Sequence, residues 1–248
     1  MLGVHHPLLK SIRKAVQRGA RTEDGFAIAE GFHLLHEAIR ANASIGAILA
    51  TPRAAAQLEG IAEYQLVDES TLRQISSVEN SQGILSLIRI DALPLAQCLA
   101  GNTLAIALDG VQDPGNAGAI VRSAEAFGAT GVVFLKGSVS PWNPKTLRAS
   151  AGSLFRLPFA LSEWDPFLHE IESRRIPLYA ARPRAEKRID EAPLNQPAAI
   201  LIGNEGRGVP PEHEYHSTPV RIPTHGVESL NAALAAGILL YEARRQRS

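Results

Sequence analysis

The chain has 248 residues, 45% of them hydrophobic, with 25 basic and 25 acidic side chains and no net formal charge. Such a composition supports two folded domains with separate cores and excludes an intrinsically disordered chain. The single cysteine, Cys98, excludes an intrachain disulfide and a cysteine-rich metal cage, so no metal is expected. No apolar run reaches membrane-spanning length and the start of the chain, with His5, His6, Pro7 and Lys10, does not read as a signal peptide. The expectation is a soluble, cytoplasmic protein without a membrane partner.

The first predicted element is an amphipathic helix. Leu9, Ile12, Ala15 and Val16 fall on one face at helical spacing, and Lys10, Arg13, Lys14, Arg18 and Arg21 on the other, before the first acid, Glu23. This basic stripe reads either as a phosphate-binding surface or as a solvated helix face. Next come a strand at Phe26–Glu30, a helix at Gly31–Ala41, and strands at Ile45–Ala50, Tyr64–Val67 and Ile84–Ile90. Short helical segments stand around Ala54–Leu58 and Ser70–Ile75, and the alternation predicts a small α/β domain. Asp91–Asn102, containing Pro94, reads as a linker. The domain boundaries are therefore set at 1–93 and 103–248, joined by 94–102.

Beyond the linker, apolar strands are predicted at Thr103–Leu108, Gly131–Leu135, Pro177–Ala181 and Ala198–Ile202, polar on neither face as in a parallel sheet covered on both sides. Helices are predicted at Asn116–Phe127, Pro144–Ser153, Asp165–Ser173 and Leu230–Arg244. The stretch Ala126–Ser162 holds Lys136, Lys145, Arg148 and Arg156 and no acid.

Three segments carry the chemistry: Asp113-Pro-Gly-Asn-Ala-Gly-Ala-Ile-Val-Arg122, Ile202-Gly-Asn-Glu-Gly-Arg-Gly208 and Ile222-Pro-Thr-His-Gly-Val-Glu-Ser-Leu-Asn231. In the first, glycines 110, 115 and 118 are separated by four and by two residues. That misses the dinucleotide fingerprint and argues against a nicotinamide-dependent oxidoreductase, and no P-loop lysine follows. The second ends a strand in a glycine-rich turn, which serves either chain geometry alone or close approach of backbone to a ligand. In the third, Ser229 and Asn231 suit a helix start, and Ile222 and Leu230 suit a core as well as a pocket. Arg122 sits among apolar residues of a helix and needs a partner, for which an RNA phosphate and Glu205 both qualify. His213 and His216 lack neighbours at metal-binding spacing and read as surface-loop residues.

In order and content these segments resemble the three motifs of the SpoU (TrmH-like) branch of the SPOUT superfamily, from about Thr103 to Gln246. The resemblance implies an α/β fold: a C-terminal SPOUT methyltransferase domain with a trefoil knot on a Rossmann-like parallel sheet. The run Arg21–Phe32, with Gly25, Glu30 and Gly31, is similar to the opening of the smaller L30e-like RNA substrate-binding domain that precedes it in this family. The implied activity is methylation of a ribose 2′-hydroxyl in RNA with S-adenosylmethionine (AdoMet). An N-terminal domain favours ribosomal RNA over tRNA, and a catalytically inactive RNA-binding protein of the same fold is the other alternative. The resemblance implies catalytic roles for Arg122, Asn116, Glu205, Ser229 and Asn231, and cofactor contacts from Leu201, Gly203, Ile222, Ser229 and Leu230. It places Lys145 and Arg148 in a segment bordering the RNA, leaves proton removal to Arg122 or a water, and implies a homodimer through the helix starting at Leu230. Thr224-His225 and Ala232-Ala233 depart from the usual family pattern, which bears on substrate detail more than on the reaction.

Overall fold

The computed structural model describes residues 2–3 and 5–248. Two compact units emerge: Met1–Asp91 with Ser140–Arg156, and Ala92–Val139 with Leu157–Ser248.

The first unit opens with α1 (Pro7–Arg18), whose first turn carries Pro7 and is capped by the His6 ring accepting from the Leu8 amide at 3.3 Å. Leu9, Ile12 and Ala15 are buried, so the predicted apolar face is the packed one. The helix stops at Gly19, which at φ 60° adopts the left-handed conformation that lets its amide return to the last turn. There follow β1 (Phe26–Glu30), α2 (Phe32–Arg40), β2 (Ile45–Ala50), α3 (Pro52–Ala55), β3 (Gln65–Leu66), α4 (Glu69–Ile75) and β4 (Ile84–Arg89). The sheet order is β1-β4-β2-β3, with β4 antiparallel to both neighbours and β2 parallel to β3. Buried Glu30 accepts from the Ser76 hydroxyl and the Ser77 amide, both at 2.6 Å, fixing the loop after α4.

The basic stripe is shorter than expected. Arg21 lies beyond the helix stop, where it pairs with Asp91 at 2.9 Å and lies over the Trp142 ring. Arg13 donates to Gln74 at 3.1 Å and Lys14 pairs with Glu23. The side chains of Lys10 and Arg18 make no hydrogen bond or ion pair among the described residues.

The second unit contains α5 (Leu95–Cys98), β5 (Leu104–Asp109), α6 (Pro114–Ala126) and β6 (Gly131–Leu135). The chain then lends α7 (Pro144–Ala149) to the first unit and returns for β7 (Phe159–Ser162), α8 (Trp164–Ser173), β8 (Leu178–Ala181), β9 (Ala198–Gly203), α9 (Pro211–Glu214), β10 (Thr218–Val220) and α10 (Ala232–Gln246). All neighbours in the six-stranded sheet, β10-β8-β9-β5-β6-β7, are parallel. Every residue of β5, β6 and β9 is buried, which is why these strands read as unbroken apolar runs. The two edge strands went unpredicted because β10 is a three-residue strand containing Pro219, tolerated at an edge, and β7 is only four residues long.

Two segments depart from the expected boundaries. The predicted linker carries α5, and Cys98 and Leu99 are buried in the second unit's core, where desolvation raises the Cys98 thiol to about 11. Ser140–Arg156, adjacent in sequence to the second domain, packs into the first: the Trp142 indole donates to the Ile90 carbonyl at 2.7 Å and Arg156 pairs with Glu37 at 2.6 Å. Lys145 and Arg148 thus belong to the same body as the basic helix.

Candidate active site

The site forms where β5 and β9 end side by side, Asp109 opposite Gly203 in register, at the carboxyl edge of a parallel sheet where open α/β folds bind ligands. After β5, Asp113 caps α6 by accepting from the Asn116 amide at 2.7 Å, with Pro114 pre-set for the first turn. This fixes the Asn116 side chain, whose Nδ2 donates to Glu205 Oε1 at 3.0 Å. Glu205 also accepts from the amides of Gln112 at 3.3 Å and Asp113 at 3.2 Å. From the third motif, Asn231 caps α10 through the amides of Ala233 and Leu234 while its own Nδ2 donates to Asn116 Oδ1 at 2.9 Å. One chain of hydrogen bonds, Glu205 to Asn116 to Asn231, therefore closes the three motifs on each other.

Desolvation works against the Glu205 carboxylate, but the hydrogen bonds from Asn116 and from the amides of Glu205, Gln112 and Asp113 together outweigh it and hold the carboxyl below its usual range. The glycine-rich turn is shaped from within: Asn204 Oδ1 accepts from the amides of Gly206 and Arg207, and its Nδ2 donates to the Gly110 carbonyl at 2.8 Å. Gly203 is required by close approach, since a Cβ there would lie 2.3 Å from the Gly208 carbonyl carbon and from the Val209 nitrogen.

Beside the network lies a cavity of about 350 Å³, bounded by the loops after β8, β9 and β10 and by the first turns of α10. Gly203, Glu205, Ile222, Ser229, Leu230 and Asn231, all singled out from sequence, line it. Leu201 does not; it is fully buried in the core between the sheet and α8, and Ile202 beside it lines the cavity instead. Arg122 is exposed on α6 outside the cavity and makes no ion pair with Glu205, which accepts instead from Asn116 and two amides. The reading of Arg122 as half of a structural pair with Glu205 is thereby overturned, and its charge remains available to a ligand.

His213 is not the surface-loop residue expected. Its Nδ1 lies 2.7 Å from Oδ2 of buried Asp109, and its ring stacks on Trp164 with centroids 3.8 Å apart. Arg182, which lines the cavity and pairs with Glu214 at 2.8 Å, was also missed. The one available clue was Asp109, an acid closing an otherwise apolar strand. Among the described residues no cluster of three metal-ligating side chains exists, and no helix is long and apolar enough to cross a membrane.

A parallel α/β sheet with a cavity at its carboxyl edge and a polar network beside it belongs to the class of α/β folds that bind small molecules at that edge. Residues 103–241 match the SpoU rRNA methylase family and residues 6–86 match the MRM3-like substrate binding domain; the chain belongs to the SpoU rRNA methylase family. It is 34% identical to an uncharacterised tRNA/rRNA methyltransferase of Synechocystis over 98% of this chain and 92% of that one. Its identity to the 23S rRNA (guanosine(2553)-2′-O)-methyltransferase RlmP of Bacillus subtilis is 29%, over 95% of each chain. The crystal structure of the SpoU methyltransferase AviRb from Streptomyces viridochromogenes in complex with AdoMet superimposes with a TM-score of 0.87 at 26% identity, covering 98% of both chains. The SPOUT fold expected from the motifs is the fold of these relatives.

Proposed function

We propose that the chain uses AdoMet to methylate a ribose 2′-hydroxyl in ribosomal RNA. The observation that carries this reading is the Glu205–Asn116–Asn231 network standing beside the cavity, in a chain whose relatives are named as 2′-O-methyltransferases of 23S rRNA and whose structural neighbour holds AdoMet. The cavity suits that cofactor. Its volume falls within the roughly 300–1,000 Å³ of small-molecule sites. Ile202, Ile222, Leu230 and Leu239 offer an apolar wall for an adenine ring, the Gly203–Gly208 loop offers backbone polar groups, and Glu205 and Glu228 offer negative charge to a cationic ligand.

Bound there, AdoMet supplies a methyl group activated on a sulfonium. Asn116, held by Glu205, and Asn231, held by Asn116, present amide groups that orient the reacting ribose, and alignment of this kind supplies a large part of the rate. Ser229 lines the cavity between Leu230 and Glu228 as a further polar contact. Arg122, permanently cationic, binds the phosphate next to that ribose. A guanidinium is almost never deprotonated and Glu205 is held in its ionised, weakly basic form, so neither suits proton abstraction and the proton passes to water. A retained polar network argues against a catalytically inactive RNA-binding protein.

Lys10, Arg18, Lys145 and Arg148, in the unit that matches a substrate-binding domain, serve as sequence-independent phosphate contacts. Leu234 and Tyr241, 54% and 56% exposed and seven residues apart on α10, form an apolar surface for a second copy of the chain. Such an enzyme works in the cytoplasm. The test is mass-spectrometric mapping of ribose methylation in RNA from cells with and without the protein. Loss of one 2′-O-methyl group in ribosomal RNA is expected; an unchanged ribosomal map with a methyl group lost from tRNA would redirect the assignment, and no change in any RNA would sink it.

A further inference from the structure

The loop carrying Glu205 is fastened to two consecutive residues. Asn204, at its start, donates to the Gly110 carbonyl at 2.8 Å, and His213, just past its end, bonds to Asp109 at 2.7 Å. The Asp109 side chain is 5% exposed, and a carboxylate so deeply placed needs its partner. The imidazole cannot swing away freely, because it lies flat on the Trp164 indole with the two planes 12° apart. One residue on, Glu214 holds Arg182, a wall of the cavity. The helix that carries both anchors, α9, has four residues, too few to hold itself by its own hydrogen bonds. The chain leaving Gly208 is held at its start by the paired backbone bonds between Asn204 and Gly208 and by buried Val209, and these side chains fix its far end.

We infer that Asp109 and His213 are positioning residues for cofactor binding: their hydrogen bond, braced by Trp164, pins α9 to the end of β5 and so keeps the Asn204–Gly208 loop in its enclosing shape. Neither residue lines the cavity, so the effect is transmitted through the loop. The inference rests on the placement of AdoMet in that cavity.

His213→Phe keeps a ring on Trp164 and removes the bond to Asp109, whereas Asp109→Asn keeps a side chain of the same shape that can still bond the imidazole. Isothermal titration with AdoMet should show His213→Phe weakening binding on the order of tenfold. The KM for AdoMet should rise in parallel, with kcat at saturating AdoMet held within about twofold, whereas Asp109→Asn, which keeps the bond, should retain most of the wild-type affinity. Amide hydrogen exchange of residues 204–208 in the cofactor-free protein should accelerate in His213→Phe. If leaving Asp109 unpaired lowers the yield of folded protein, the double variant Asp109→Asn/His213→Phe removes that charge and carries the same expectations. Unchanged exchange in the loop, or AdoMet affinity equal to wild type, would overturn the clamp even if Tm falls. Failure of the wild-type protein to bind AdoMet would instead overturn the placement of the cofactor, while the exchange measurement still judges the clamp.

Discussion

Asn231 and Asn116, 115 positions apart in the chain, are joined by the Asn231 Nδ2 donating to Asn116 Oδ1 at 2.9 Å, and the Oδ1 of the same Asn231 side chain caps α10. A helix cap and an active-site link thus share one residue. Replacing either amide removes a connection between motifs rather than one contact.

Glu205 anchors that connection. Because its folded carboxyl is held below the ordinary range, its contribution to stability is complete above the unfolded value and is lost as pH falls through the folded one. Stability and kcat/KM should consequently show no step from this group between about pH 6 and 9 and a fall only in acid. Glu205→Gln should lower kcat/KM by roughly ten- to a hundredfold and reduce that acid loss. A variant with wild-type kcat/KM would remove Glu205 from the machinery.

Arg122 stands on α6 outside the cavity, exposed and without an ion pair to Glu205. Arg122→Ala should therefore abolish methyl transfer while leaving AdoMet affinity within about twofold, measured by calorimetry alongside a methyl-transfer assay. Near-normal turnover in that variant would contradict its role at the reacting nucleotide.

Gly203→Ala tests the turn. A methyl group placed 2.3 Å from Gly208 and Val209 backbone atoms cannot be relieved by a side-chain shift, so the loop must open. Loss of AdoMet binding by at least about a hundredfold is expected, with an overpacking cost of about 1–3 kcal/mol in stability. Retained affinity would show that the loop does not shape the pocket.

A fourth expectation concerns the end of the chain. Arg247 donates to four carbonyls: Leu194 at 2.6 Å, Asn102 at 3.0 Å, Thr103 at 2.8 Å and Gln196 at 2.6 Å. No other side chain could reach all of these, since only a guanidinium carries five donors in a fixed fork. Arg247→Ala should lower stability by about 2–3 kcal/mol in denaturant melts, and Arg247→Lys should recover less than half of that. An effect below about 0.5 kcal/mol would mean that water replaces the guanidinium without cost.

The sequence was legible where periodicity is long or a turn must be glycine. β1, β2 and β6 lie where alternation and apolar runs place them, and the second motif stands out because a strand ends in three glycines around an acid. The edge strands of the second sheet, β10 and β7, were not legible, since three or four residues carry no period and Pro219 argues against a strand. Leu201, expected close to the pocket, packs in the core while Ile202 lines the cavity, because neighbouring strand residues can exchange these roles and sequence does not say which side faces the ligand. The pairing of Asp109 with His213, 104 positions away, leaves no local pattern at all. The same holds for the capture of Ser140–Arg156 by the first unit, which chain order conceals.

That capture has a consequence for biogenesis. Until the ribosome has delivered residue 142 the Ile90 carbonyl lacks the Trp142 indole, and until residue 156 Glu37 lacks Arg156, although the four strands of the first sheet were made long before. By then β5 and β6 of the second sheet already exist. The amino-terminal body cannot finish folding first and wait, as independent tandem domains do; it is completed by material from within its neighbour. The polypeptide passes between the two bodies after residues 91, 139 and 156, so a single proteolytic cut at the segment near Pro94 would nick the protein without parting it.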